Sequence, residues 1–172
     1  VKIYLNAQFA SGKHHDRLLS VGMVSEAGEF YRVLGETEAV QAARRDPWMR
    51  EHVLSRLPYE EEGRDWFWTP DLCIVTRDEL IDDMLGFVDA HPDPEFWGWQ
   101  ASFAYVAVRH LFGRLTDRPN GFPLWCGELA AEWVKAGSPS IPMRAVLGHH
   151  ALEQAHWARE VDTILHSIPV SE

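Results

Sequence analysis

An α/β domain with a mixed central sheet flanked by helices is predicted by three observations. The first 33 residues hold three strand-like stretches joined by short polar segments. A helix with a clear start signal follows at Thr76. An apolar strand, Glu95 to Trp99, then runs straight into another helix. Three strands in succession predict an antiparallel meander, and the later helix, strand and helix make the architecture α/β.

Taken in order, Lys2 to Leu5 is a run of β-favouring residues. A polar loop, Ala10 to Asp16, leads to Arg17–Val24, where Leu19, Val21 and Met23 alternate with Leu18, Ser20 and Gly22 at strand period. Ser25 to Gly28 is a turn and Glu29 to Val33 the returning strand. Glu36 to Arg45 and Pro47 to Leu57 read as two helical pieces. Pro47 suits the first turn of the second, where its missing N–H costs nothing. Pro58 to Asp71 is acidic, aromatic and irregular around Trp66 and Trp68. It is expected to be a loop whose indoles pack on the body of the domain rather than a base-stacking platform.

Thr76 and Glu79 match a capping box, with Leu80, Ile81, Met84, Leu85 and Val88 following at helical spacing. That helix should end near Ala90, before the breaker run His91 to Pro94. Trp97 and Trp99 flank Gly98 on the next strand, so both indoles should face one side. Helices are expected at Phe103–Phe112 and Gly127–Lys135, then a loop from Gly137 to Pro142 and a short extended piece. The last helix is expected from about Gly148 to Leu165, with Ala151, Leu152, Ala155, Ala158, Val161 and Leu165 as its buried stripe. No repeat or linker divides the chain, so residues 1–172 are read as one domain.

Bulk properties narrow the function. A 172-residue chain that is 46% hydrophobic can bury a real core. Its formal net charge of −10 opposes a broad grip on duplex DNA, since no excess of Lys and Arg displaces counterions. It fits a protein partner slightly better than a nucleic acid. Cys73 and Cys126 have no CxxC spacing, which points to a reducing, cytoplasmic setting without disulfides or a zinc ribbon. No apolar run reaches the roughly 18 residues of a membrane span, and no basic-then-apolar leader is read at the start, so neither a membrane nor secretion is expected.

The stretch Tyr4 to Phe9, "YLNAQF", ends a first strand in polar-x-polar-Phe. With "LLSVGMVSEAGEFY", "DPWMREHVLSRLP", "FWGWQASFAYVAVRHLFG" and "GHHALEQAHWARE", in that order and with matching gaps, the chain resembles the RNase AS group of DEDDh 3'-5' exoribonucleases over nearly its whole length. The resemblance implies an RNase H-like fold. It also implies four carboxylates holding two Mg²⁺ or Mn²⁺ ions, one activating a water and the other stabilising the leaving 3'-oxygen. A histidine near the start of the last helix would deprotonate the water. Carried over by position, the first motif's Asp and Glu fall on Asn6 and Gln8, the second motif's Asp on Ala104, the histidine on His149 and the last Asp on Gln154.

All four carboxylates are therefore replaced, and only His149 survives. Asn6 and Gln8 keep shape and one acceptor oxygen each, but two divalent ions would meet no compensating anion. Asp16, beyond the first strand, and Glu153, turned onto another helix face from Gln154, are poor substitutes. Isosteric amides suggest designed inactivation, yet Ala104 and Gln154 follow no single scheme, which favours natural divergence.

The expectation is a degenerate exoribonuclease homologue without metal cofactors. A nucleotide or single-stranded RNA 3' end would be held by Asn6, Gln8, Phe9 and His149. An enzyme of altered chemistry using His149, with Glu153, His156 or Cys126, is the first alternative. A structural subunit pairing with itself or another protein is the second. His149, Glu153 and His156 share a helical face that suits a transition metal, with His150 nearby; ordinary surface or half-buried helix residues are the preferred reading. His14 and His15 are expected to be solvated, and Cys126 is read as a small apolar residue at a helix entrance.

Overall fold

The computed structural model describes residues 1–10, 18–35, 37–62, 65–68, 73–143 and 149–167, with backbone alone at 59–62, 65–68 and 115. His14, His15 and Asp16, and the extended piece expected after Pro142, fall on or run into undescribed residues.

The meander forms as its alternation predicts. β1 (Lys2–Phe9) pairs antiparallel with β2 (Leu18–Val24), and β2 with β3 (Glu29–Leu34). Between β2 and β3 the Ser25 N–H donates to the Gly28 carbonyl at 2.9 Å. β1 extends beyond its expected end at Leu5, so Asn6 and Gln8 lie within the strand, and an irregularity falls between Gln8 and Phe9. Parallel partners complete the sheet. β7 (Glu95–Gly98) joins β1, β8 (Cys126–Glu128) joins β7, and β6 (Ile74–Val75) joins β3. The order is β6-β3-β2-β1-β7-β8, a six-stranded mixed sheet flanked by helices, as in an RNase H-like fold.

Two expectations are corrected, and one short strand is added. The stretch read as an irregular loop from Pro58 to Asp71 contains a two-stranded antiparallel hairpin, β4 (Tyr59–Glu62) with β5 (Asp65–Trp68). Backbone pairing organises it, which side-chain periodicity does not report. Ile74 and Val75, for which the sequence sets no expectation, pair as β6, too short for an alternation to show. Cys126 opens strand β8 instead of a helix, and α5 (Leu129–Lys135) starts three residues later. No helix dipole therefore supports a Cys126 thiolate. Burial, with Glu128 adding its charge, pushes the thiol up to about 12.

Helix starts follow their caps. In α1 (Glu38–Arg45) the Thr37 hydroxyl accepts from Val40 N–H, and in α2 (Pro47–His52) the Asp46 carboxylate accepts from Trp48 and Met49 N–H. α2 stops at His52, and Leu54–Arg56 continues as a 3₁₀ turn. α3 (Arg77–Asp89) carries the Thr76–Glu79 capping box in both directions, with Glu79 N–H on Thr76 Oγ1 at 3.3 Å and Thr76 N–H on Glu79 Oε2 at 2.8 Å. α4 (Ala101–Arg109) also ends in a 3₁₀ turn, His110–Phe112.

One core joins Ile3, Leu5 and Ala7 to Leu80, Met84 and Val88 of α3 and to Ala107 and Val108 of α4. A second holds Leu19 and Val33 against Val40, Met49 and Leu54. Trp97 and Trp99 pack against one cluster, Tyr4, Leu129 and Ala158, in keeping with a shared side.

The last helix, α6 (Ala151–Ser167), buries Ala151, Ala155, Ala158 and Val161 as expected. Leu152 and Leu165 are only half-buried, while Gln154, Trp157 and Asp162 are buried. Asp162 ties α6 to β1. It accepts from Lys2 Nζ at 2.8 and 3.0 Å and from the Tyr4 hydroxyl at 2.6 Å. Burial and that acidic neighbour hold the Tyr4 phenol well above its ordinary pKa. Among the described residues, no helix is long and apolar enough to cross a membrane.

Candidate functional site

Asn6 and Gln8 are two apart on β1, so their side chains leave the same face. They touch one another: Gln8 Nε2 donates to Asn6 Oδ1 at 3.1 Å, and each residue is 8% exposed. Gly22 is the cross-strand partner of Asn6. A Cβ there would lie 2.6 Å from the Ala151 carbonyl oxygen and closer still to Leu152 N. The missing side chain at Gly22 is what lets the start of α6 press onto the sheet beside Asn6. Gly98 does the same for the next strand, where a Cβ would meet the Leu5 carbonyl oxygen at 2.6 Å.

These approaches bring four segments to one open cavity of about 300 Å³. Asn6, Gln8 and Phe9 come from β1, Ala104 from α4, Gln154 from α6, and His149 from the residues just before α6. The six residues named for the metal positions or for ligand contact thus line a single space, while Glu153, His156 and Cys126 do not line it. Ala104 and Gln154 are both 4% exposed, at its inner wall.

The rim was not foreseen. Trp48 on α2, Phe103 on α4, and Trp99 and Gln100 between β7 and α4 also line the cavity. Trp48 stacks on His52 at 4.8 Å and meets His149 edge-on at 4.9 Å. Phe9, Trp48 and Phe103 keep 40%, 49% and 63% of their surface exposed, an unusual outlay of aromatic area. The available signal was a bulky ring next to an inward residue: Phe103 precedes Ala104, and Trp48 precedes the buried Met49. Gln100 adopts a left-handed φ of 53°. The Glu128 carboxylate holds the turn by accepting from Gln100 N–H at 2.7 Å and Ala101 N–H at 2.9 Å.

The donor set does not suit a pair of hard divalent ions. The four matched positions supply three neutral amides and a methyl group, where such ions prefer anionic oxygens. Among the described residues there is no group of three or more His, Cys, Asp and Glu side chains placed to hold a metal. His149, Glu153 and His156 are not brought together. His156 Nε2 lies 3.0 Å from Glu29 Oε1, and Glu153 and His156 line a separate hollow with Trp157 and Arg159. His150 stacks on Tyr31 at 4.5 Å, and burial pushes its pKa down, Glu153 partly opposing.

The cavity thus sits at the end of β1, an interior strand of an RNase H-like sheet, and is walled by that strand and the last helix. No protein-family profile matches the chain. Two curated proteins do, each called a 3'-5' exoribonuclease and each from a strain of Mycobacterium tuberculosis. Both are 29% identical over 158 residues, covering 90% of this chain and 87% of the relative. Similarity over that length supports kinship with 3'-5' exoribonucleases.

Proposed function

We infer that the chain is a degenerate DEDDh-type exoribonuclease homologue that binds a nucleotide or an RNA 3' end and does not hydrolyse it. One observation carries the reading. The positions matching the four metal-binding carboxylates converge on one open cavity, and every one of them is neutral. Had the fold lost its site altogether, side chains would be expected to fill the space. An open cavity with an exposed aromatic rim instead supports a retained binding role. Catalysis through His149 with Glu153 and His156 is the weaker reading, because those two line a different hollow.

The test is to incubate purified protein with single-stranded RNA and Mg²⁺ or Mn²⁺. The expected result is intact RNA, with ligand binding undiminished in EDTA. Metal-dependent trimming from the 3' end at an enzyme-like rate would overturn the reading.

A further inference from the structure

Resting on that reading, we propose that the cavity takes an uncharged flat heteroaromatic, a nucleobase or nucleoside, held by amides and aromatic rings with no part played by phosphate or metal. The described residues that line the cavity include no Lys, Arg, Asp or Glu. Its polar side-chain groups are the amides of Asn6, Gln8, Gln100 and Gln154, the imidazole of His149 and the indole N–H groups of Trp48 and Trp99.

A phosphate needs a guanidinium, an ammonium, a metal or an open helix N-terminus. Three helices begin beside this cavity, and at each start a side chain already takes at least one backbone N–H. The Glu128 carboxylate takes the N–H groups of Gln100 and Ala101 at α4, and the Asp46 carboxylate those of Trp48 and Met49 at α2. At α6 the His150 ring accepts from Glu153 N–H at 3.4 Å. Two of the three caps are acids, which repel an incoming anion.

A base fits where a phosphate does not. The Asn6–Gln8 hydrogen bond uses one N–H and one C=O, and in either orientation of the amides it leaves one NH₂ and one C=O for a ligand. That adjacent donor and acceptor is the pattern with which Asn and Gln read base edges. Phe9, Trp48 and Phe103 bring partly exposed aromatic surface from three separate elements, Trp48 with one side already stacked on His52. A volume of about 300 Å³ suits one base or nucleoside and not a stack of several.

Tryptophan fluorescence reports the cavity directly, since Trp48 and Trp99 line it. Adenosine, uridine and adenosine 5'-monophosphate are titrated in EDTA at low and high salt. At least one nucleoside should saturate the signal, the monophosphate should bind no more tightly than adenosine, and salt should leave the affinity nearly unchanged. Gln8→Met should weaken nucleoside binding about tenfold. Phe103→Ala, at an exposed position that does not endanger folding, should weaken it severalfold. Binding of the monophosphate but not of adenosine, a requirement for Mg²⁺, a steep loss with salt, or no response to either nucleoside would each overturn the proposal. None of these outcomes touches the absence of hydrolysis, which fails only if RNA is trimmed.

Discussion

Near its start, β1 meets α6 through charge: Lys2 and Tyr4 converge on the buried Asp162 at 2.6 to 3.0 Å. Near its end, the same strand and helix wall the cavity with amides, Asn6 and Gln8 on one side and Gln154 on the other. The fold therefore tolerates a buried carboxylate between these two elements when a cation and a hydroxyl compensate it. Neutrality at the cavity is a property of the residues chosen there and not a demand of the architecture. What differs is the partner: Lys2 completes one end, and only a bound metal would complete the other if it were acidic.

Making the two ends alike should have the largest effect. The combined variant Asn6→Asp, Gln8→Glu, Ala104→Asp and Gln154→Asp would crowd four acids into a cavity whose described lining residues offer no fixed cation. Their pKa values would be raised by burial and mutual repulsion. The cost is then absent below about pH 4 and grows as pH rises through the raised values, reaching roughly 3 kcal/mol or more at neutrality. Denaturant melts across pH should show this, and Mn²⁺ should restore much of the loss.

Breaking the charged end comes next. Asp162→Ala strands the Lys2 ammonium and the buried Tyr4 hydroxyl and should cost about 3 kcal/mol in urea denaturation. A cost below about 1 kcal/mol would show that charge does not anchor α6.

Gly22→Ala probes the joint between the ends. Its Cβ would strike the Ala151–Leu152 backbone, so about 2 kcal/mol of stability should be lost along with nucleoside affinity. Gly86→Ala is the control, because nothing lies within 4 Å of a Cβ there in mid-α3. It should be stabilising by about 0.5 kcal/mol.

The smallest effect is a pH dependence at His150. Its folded-state pKa is lowered, mainly by burial, so its contribution is present above the ordinary histidine pKa and lost as pH falls through the folded value. His150→Gln should flatten the acid limb of a melting-temperature profile; an unchanged limb would assign that limb to other groups.

What the sequence revealed follows from which signals are local. The alternation of Leu19, Val21 and Met23 and the Thr76–Glu79 box are written within a few residues, and β2 and α3 formed where they predict. The hairpin of residues 59–68 and the two-residue β6 depend on backbone pairing between strands, for which short segments carry no readable period. The inner wall of the cavity was legible because family resemblance marked Asn6, Gln8, Ala104, His149 and Gln154 one by one. Trp48 and Gln100 come from other segments and Phe103 from the helix that carries Ala104, and their exposure is decided only once those elements assemble.

The central claim is that the β1–α6 cavity no longer holds divalent metal, and a Mn²⁺ titration of the unmodified protein tests it most directly. Followed by melting temperature, a site saturated a hundredfold above its Kd would add about 2.7 kcal/mol, a shift of several degrees. The account predicts no shift up to millimolar Mn²⁺ for the unmodified chain, and a clear rise for the four-carboxylate variant. A rise of several degrees in the unmodified chain, abolished by Asn6→Leu, would contradict it.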